Sequence, residues 1–187
     1  MRKFGLIFLL SYLVSLLASG QTVALKTNLL YNAVTVPNLG VEFSVGKHFT
    51  VDVSGNYNPW DLSSSRSIRH WQVLPEFRYW PVEKFDGHFF GIHAFYTDYI
   101  FKDVWLPMGM KRNQAFDGMA YGAGLSYGYQ LYLSTRWSLE FTAGFGYGNY
   151  EYDKFSLEED ENAYLGLFRT DYIGVTKLGI SITYFLK

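Results

Sequence analysis

The chain has 187 residues, no cysteine and a formal net charge of −1 at pH 7. Without cysteine it forms no disulfide, performs no thiol chemistry and carries no lipid on a cleavage-site cysteine. The near-neutral charge gives no electrostatic basis for binding nucleic acid. Aromatic residues make up 20% of the chain, an enrichment typical of proteins that meet a membrane–water interface.

The N-terminal segment has the pattern of an export signal. Arg2 and Lys3 precede an apolar run over residues 4–17, and a site of small residues ends at Gly20. This pattern predicts a cleavable signal peptide over residues 1–20 and a mature domain over residues 21–187. The alternative is a single membrane anchor, for which the apolar run is short.

Side chains of the mature region alternate between apolar and polar with a period of two. A period of two places successive side chains on opposite faces of a β-sheet. In the seventh such stretch, Trp137, Leu139 and Phe141 face one way while Ser138 and Glu140 face the other. The pattern predicts strands at residues 25–34, 39–46, 49–58, 68–80, 89–101, 119–133, 137–150 and 172–187.

The connections between these strands alternate in length. Residues 46–48, 81–87 and 134–136 form short turns, whereas residues 61–67, 102–116 and 154–169 form longer polar loops. Short periplasmic turns and long outer loops are typical of outer-membrane barrels. We therefore predict an all-β, eight-stranded antiparallel up-and-down transmembrane β-barrel, with a break or bulge at Pro75. A soluble sandwich or a soluble periplasmic barrel would have to bury the outward Leu, Phe and Tyr side chains elsewhere.

The inward face of the predicted strands carries charges of both signs. Charges in a narrow, poorly solvated interior must pair, or each costs several kcal/mol. A structural salt-bridge core is the favoured interpretation, and a proton or ion path through the lumen is the alternative. The predicted interior polar residues are Lys26, Glu42, Asp52, Glu76, Arg78, Glu140 and Lys177.

The end of the last strand resembles the C-terminal signal that outer-membrane barrels show to their assembly machinery. The residues of this predicted signal are Lys177, Gly179, Ile182, Tyr184 and Phe185. We accordingly expect the barrel-assembly machinery, outer-membrane lipid and lipopolysaccharide as partners.

Aromatic residues cluster at two heights of the predicted barrel. Such clusters predict girdles at the two membrane interfaces. The long-loop group is Tyr57, Trp60, Trp71, Tyr96, Tyr99, Tyr150, Tyr152 and Tyr172, and the short-turn group is Trp80, Phe85, Phe89, Tyr132, Trp137, Tyr184 and Phe185.

The sequence offers little that indicates catalysis. It contains no phosphate-binding loop, dinucleotide fingerprint or zinc-ligand spacing, so we predict no catalytic residues, no cofactor and no metal. A Ser-His-Asp set of a lipid A-modifying enzyme could be assembled from Asp61, the serines at 63–65 and His70. A polar loop that happens to contain these residue types is the simpler interpretation.

Several segments together resemble a known family. They lie at residues 24–31, 37–42, 54–60, 70–71, 75–80 and 122–129. The chain resembles an uncharacterised family of Bacteroidota outer-membrane proteins, catalogued as a domain of unknown function and often encoded near fimbrial subunit genes. The resemblance covers essentially the whole mature chain. It implies an outer-membrane barrel with a link to surface fimbriae or adhesion, and it supplies no catalytic residues.

We therefore expect a non-enzymatic surface barrel, exported to the outer membrane, whose outer loops contact a fimbrial or other surface protein or which supports the envelope. The loops offer aromatic, basic and acidic side chains for such contacts. The candidate contact residues are Trp60, Trp105, Lys111, Arg112, Glu158, Glu159, Asp160 and Glu161.

Overall fold

A computed structural model describes residues 22–61, 63, 66–104, 113–157 and 163–186. The predicted signal peptide at residues 1–20 lies outside these ranges, as do seven of the eight candidate loop contacts. In the described ranges, no helix is long and apolar enough to cross a membrane.

Eight antiparallel strands form one closed barrel, each strand pairing with its neighbours in the chain and the last with the first. This confirms the predicted all-β, up-and-down arrangement. One short helix, α1, follows the first strand. The elements are β1 Val23–Asn28, α1 Leu29–Ala33, β2 Asn38–Ser44, β3 Phe49–Asn58, β4 Ser67–Tyr79, β5 Gly87–Lys102, β6 Gln114–Tyr132, β7 Trp137–Ser156 and β8 Ala163–Phe185.

The period-two pattern sets which side chains enter the barrel. On β7, Ser138 and Glu140 are buried inside, whereas Trp137 and Phe141 are exposed on the outer face. The same alternation holds on β5, where His93 is buried inside the barrel and Ile92 is exposed on the outer face. The fold therefore has a polar and aromatic interior and an apolar outer surface, the reverse of a water-soluble domain.

The predicted first strand is wrong beyond Asn28. Residues 29–33 form α1 because the Asn28 side chain accepts a hydrogen bond from the Leu30 amide, as an N-cap does. Tyr31 consequently does not face outward in a strand. Its hydroxyl reaches across the barrel mouth to Gln72 Oε1, at 3.4 Å.

The two predicted loops at 102–116 and 154–169 are also shorter than expected, because the strands continue into them. β7 extends to Ser156 and β8 begins at Ala163, with regular antiparallel pairing between them. The register shifts once near Lys154, opposite Gly166, whose φ of 121° is one that glycine alone adopts readily. The charged residues of these extensions favour a loop in a sequence-based prediction. A strand can nevertheless carry polar side chains on both faces where both faces are solvated.

Pro75 leaves no bulge in β4. The register with β3 is continuous through Pro75, while the pairs with β5 stop at Val73 and resume at Glu76. The missing amide of proline therefore interrupts one ladder locally, without shifting it.

The backbone pairing between β1 and β8 ends at Asn28, which interrupts the wall of the barrel. β1 pairs with β8 only from Ala24 opposite Phe185 to Asn28 opposite Ser181. β8 continues for a further stretch, residues 163–180, beside which α1 replaces a neighbouring strand. We call this interruption the β1–β8 gap.

Candidate functional site

The barrel interior is occupied by one network of ion-paired side chains. All seven predicted interior residues lie in it and are buried, apart from a small exposed part of Lys177. We call this network the interior charge cluster. Its members are Lys26, Glu42, Asp52, Glu76, Arg78, Glu140 and Lys177.

Arg78 is the centre of the interior charge cluster. Its guanidinium donates to Glu76 at 2.6 Å, to Glu42 and Glu140 at 2.9 Å, and to Asp52 at 3.0 Å. Its planar fork has enough donors for several carboxylates at fixed angles. Burial of four carboxylates is tolerable here because each has an ion-paired partner close by.

The two lysines complete the pairing from the strands that close the barrel. Lys26 on β1 contacts Glu42 and Glu140, and Lys177 on β8 donates to Glu76 at 2.6 Å. Strands that are distant in sequence are therefore tied through their side chains as well as their backbones. Four carboxylates and three cations leave the interior charge cluster with a formal charge of −1.

A register shift in β8 adds a residue to the interior that the alternation does not predict. Gly144 pairs with Lys177 while Phe145 pairs with Val175, so Thr176 is an extra residue at a β-bulge. Thr176 lies 2.8 Å from His93 through Oγ1 and Nε2. The bulge thus directs two consecutive side chains, Thr176 and Lys177, to inward partners.

The end of the lumen near the short turns is closed by aromatic rings. Trp80 and Phe89 are fully buried with ring centroids 4.8 Å apart, and the Trp80 indole donates to Thr50 Oγ1 at 2.9 Å. The guanidinium of Arg78 lies 4.4 Å from the centroid of Phe89. A second apolar cluster, Leu74, Phe95, Tyr99, Phe116 and Ala120, fills the interior toward the long loops.

These packed rings correct part of the predicted girdles. Trp80, Phe89 and Tyr99 are buried in the lumen and do not face outward. Aromatic composition alone cannot separate an inward ring from an outward one. The strand alternation could have done so, since Tyr79 and Phe90 point outward and their neighbours must point inward.

Inward glycines on β6 and β7 make room for the rings of β5. A Cβ built on Gly124 would lie 2.8 Å from the His93 ring and 2.6 Å from the Phe145 carbonyl oxygen. A Cβ on Gly144 would also lie 2.8 Å from His93. The glycines are therefore needed for the close approach of a side chain and a neighbouring backbone.

A cavity of about 390 Å³ remains in the part of the barrel bounded by α1, β1–β4, β7 and β8. Asn56 and Gln72 line its wall. Five members of the interior charge cluster also line it: Lys26, Asp52, Arg78, Glu140 and Lys177. Its volume falls in the range of small-molecule sites, roughly 300–1,000 Å³. The cavity is the part of the interior that could hold a ligand.

The other predicted site residues lie apart from this interior. Trp60 is exposed, with its indole donating to the Thr35 carbonyl at 2.9 Å. The predicted contacts Trp105, Lys111, Arg112, Glu158, Glu159, Asp160 and Glu161 lie outside the described residues. The predicted assembly-signal residues lie at the C-terminal end of β8, where the Tyr184 ring packs on Trp137 with centroids 4.7 Å apart.

The residues proposed for lipid A chemistry have other partners. Asp61 pairs with Arg69 at 3.2 Å, and His70 Nδ1 lies 3.3 Å from the Ile68 carbonyl. A relay from Asp61 to His70 would first have to break that ion pair. Within the described ranges, no three His, Asp or Glu side chains are grouped as a metal site requires.

The fold and the interior define a closed eight-stranded β-barrel with a plugged, ion-paired lumen. The sequence profile of a family described as "Protein of unknown function (DUF3575)" matches residues 6–186, and the chain belongs to that family. No curated protein and no solved structure matches the chain.

Proposed function

We propose that this chain is an outer-membrane β-barrel that acts by presenting a partner-binding wall at the cell surface, and that its lumen is a structural core. The observation that supports membrane insertion is a continuous apolar belt on the outer face. Ile92, Leu125, Phe145 and Val175 are register partners in one row across β5–β8 and are 64%, 66%, 60% and 59% exposed. A contiguous exposed apolar surface of this kind needs lipid or a partner to cover it.

We expect the protein to fractionate with the outer membrane and to migrate differently on electrophoresis when boiled and unboiled. A closed barrel with an ion-paired core resists detergent at room temperature, and only heating opens it. The measurement is gel mobility of detergent-extracted protein beside fractionated membranes. A soluble protein without a mobility shift would overturn membrane insertion.

Surface binding is supported by the length of β7 and β8. β7 has 20 residues and β8 has 23, whereas a tilted strand crosses a bilayer with about 9–11. Residues 149–156 of β7 and 163–171 of β8 therefore extend beyond the apolar belt, and we call them the β7–β8 extension. It exposes Tyr164, Leu165, Leu167 and Phe168, side chains suited to the apolar centre of a protein interface.

The wall around the β7–β8 extension is acidic, which bears on the charge of its partner. Asp117 on β6 pairs in register with Asp153 on β7, and Asp98 on β5 is close by. Burial, together with the negative charges of Asp98 and Asp153, raises the pKa of Asp117. Glu151 adds no net charge to this wall, because it pairs with Arg169 at 2.7 Å. We infer that a partner with basic groups around an apolar contact fits this wall, and a fimbrial or other surface protein is the partner that we propose.

Replacing both Leu165 and Leu167 by Asn is expected to reduce fimbriation or adhesion of the cells without changing the amount of heat-modifiable barrel. The substitutions remove apolar contact area from the extension and leave the belt intact. Leu133→Asn, an exposed leucine in the turn before β7 at the other end of the barrel, is the matched control. Normal fimbriation and adhesion in the double variant would rule out the extension as the binding surface.

A further inference from the structure

We propose that the surface partner binds the β7–β8 extension by adding an extended segment of its own as a further strand, hydrogen-bonded to the unpaired edge of β8 at residues 167–173. We call this stretch the free β8 edge. The inference rests on the proposed function and deepens it, because it states how the partner is held. The backbone groups that hold it belong to Leu167, Arg169, Asp171 and Ile173.

The free β8 edge has a strand on only one side. All of its residues pair with β7, from Asp153 opposite Leu167 to Tyr147 opposite Ile173. On the other side β1 has already ended at Asn28, and no described backbone group hydrogen-bonds to residues 167–173 from there. An unpaired strand edge is a template for pairing with another chain, and an extended peptide that adds to such an edge is held by main-chain hydrogen bonds.

The hydrogen bonds of Asn28 show which residues of β8 turn their backbone groups to the open side. The Asn28 side chain donates to the Leu178 carbonyl at 3.1 Å and accepts from the Ile180 amide at 3.3 Å, so the even-numbered residues there face β1. Successive residues of an antiparallel strand point these groups to opposite sides, and the extra residue Thr176 reverses the order. In the free β8 edge, the odd-numbered residues therefore point their N–H and C=O groups away from β7.

None of the usual devices protects this edge. Natural sheets shield an edge with proline, lysine or a bulge. Residues 167–173 contain neither proline nor lysine, and the two register shifts of β8, near Gly166 and at Thr176, lie outside the stretch. Its single basic side chain, Arg169, is bound by Glu151 of β7 at 2.7 Å. The regular stretch between the shifts has about the usual length of a strand.

The outer face of the free β8 edge favours a strand with basic and apolar side chains. Asp171 is exposed and its negative charge is not neutralised, since the Tyr147 hydroxyl and the Asn149 amide that donate to it at 2.6 and 2.9 Å are uncharged. Leu167 and Ile173, on the same face, are 55% and 72% exposed. Opposite charges and apolar pairs across neighbouring strands stabilise a sheet. A lysine opposite Asp171, with apolar residues opposite the other two, fits this face and agrees with the acidic wall of the extension.

The inner face of the same stretch favours threonine and an aromatic residue. Phe168 stacks on Tyr152 with ring centroids 6.0 Å apart, and Thr170 Oγ1 lies 3.2 Å from the Tyr152 hydroxyl. Tyr172 packs edge to face on Tyr150, with centroids 6.2 Å apart. Aromatic pairs and threonine pairs across strands each stabilise a sheet. The heptapeptide acetyl-VTKTVYV-amide, aligned antiparallel to residues 167–173, combines the side chains that suit the two faces and is the probe.

Amide hydrogen exchange tests whether the edge is free. In lipid nanodiscs, we expect the amides of Leu167, Arg169 and Asp171 to exchange at least about tenfold faster than those of Phe168 and Thr170, which bond to β7. The rates are measured residue by residue by NMR. Equal protection of the two sets of amides would overturn the free edge.

The heptapeptide tests strand addition. At about 1 mM, it is expected to slow the exchange of the fast amides and to leave the slow ones unchanged. N-methylation of its lysine, whose amide points at β8 opposite Asp171, is expected to weaken binding about tenfold through the lost hydrogen bond. N-methylation of the next threonine, whose amide points away from β8, is the matched control. No slowing by the unmodified peptide, or equal effects of the two methylations, would overturn strand addition.

Replacing the lysine of the heptapeptide by glutamate tests the charge of the partner. We expect weaker binding, because the glutamate would lie opposite Asp171 in an acidic wall. The measurement is the peptide concentration that gives half of the full slowing of exchange. Equal concentrations for the two peptides would overturn the basic character assigned to the partner strand.

Failure of this inference is distinguishable from failure of the proposed function. Arg169→Pro removes one amide of the free β8 edge, whereas Arg169→Ala loses the same ion pair and keeps the amide. Among variants that retain the heat-dependent mobility shift, we expect fimbriation or adhesion to fall in the first and to persist in the second. Equal losses in both would overturn the role of the amide.

The double Asn variant of Leu165 and Leu167 separates the two levels of the proposal. Loss of adhesion in that variant, with normal adhesion in Arg169→Pro, would mean that the extension binds its partner through side chains and that only strand addition is wrong. Normal adhesion in both would overturn partner binding by the β7–β8 extension itself.

Discussion

Replacing Arg78 by Met is expected to lower the free energy of unfolding of the barrel by about 3–5 kcal/mol, the cost of removing one partner from a buried ion pair. The methionine fills much of the arginine's volume, so the effect is mainly one of charge. Glu42, Asp52, Glu76 and Glu140 would remain inside with only two lysines to neutralise them. The measurement is urea unfolding of barrels inserted in lipid vesicles, followed by the boiled and unboiled gel mobilities.

Arg69→Met is the matched control, because it removes the same residue type from the same strand. Arg69 pairs with Asp61 at 3.2 Å, but both side chains are about half exposed. Exposed pairs contribute about 0–1 kcal/mol, so this variant should unfold nearly as the wild type does. Similar losses in the two variants would show that the position within β4, and not the interior pairing, sets the effect.

Adding Asp52→Asn to Arg78→Met is expected to restore part of the lost stability. Asp52 depends on Arg78 for its hydrogen bond at 3.0 Å, and its distance to Lys177 is 3.9 Å. Neutralising this carboxylate returns the interior to a formal charge of −1. A double-mutant cycle therefore should give a non-zero coupling energy, whereas additive losses would show that the two groups do not interact.

The interior charge cluster was within reach of sequence reasoning because it depends only on the period of two. Once Lys26, Arg78 and Lys177 are assigned to the inward face, a narrow barrel must bring them near the inward Glu and Asp residues. The alternation does not predict which cation pairs with which carboxylate. That requires the register between strands, and Arg78 contacts carboxylates on β2, β3, β4 and β7.

Three features of the fold lay beyond that reasoning, each for a local cause. The helix α1 depends on one Asn28 cap inside an apolar run that also suits a strand. The bulge at Thr176 adds a residue without any change in composition. The β1–β8 gap follows from the first, since β1 stops at its cap while β8 continues past it. A pattern along one strand carries no information about where its neighbour stops.

Replacing Gly124 by Ala is expected to lower the free energy of unfolding by about 1–3 kcal/mol, the usual cost of overpacking a filled interior. The new methyl group would lie 2.6 Å from the Phe145 carbonyl oxygen and 2.8 Å from the His93 ring. The backbone cannot yield without disturbing the β6–β7 ladder, where Gly124 pairs with Gly146. The same vesicle unfolding experiment measures the loss.

Gly55→Ala separates this crowding from the general effect of replacing a strand glycine. Its nearest neighbour to a new Cβ is the Gln72 carbonyl oxygen at 3.4 Å, an ordinary contact. Alanine in a strand is favoured over glycine by roughly 0.5–1 kcal/mol when space permits, so this variant should be neutral or slightly more stable. Opposite signs for the two variants would establish that crowding by the Phe145 carbonyl and the His93 ring excludes a side chain at Gly124. A Gly124→Ala barrel as stable as Gly55→Ala would show instead that both the His93 ring and the Phe145 carbonyl can move aside, so that the β6–β7 ladder at this point is not rigid.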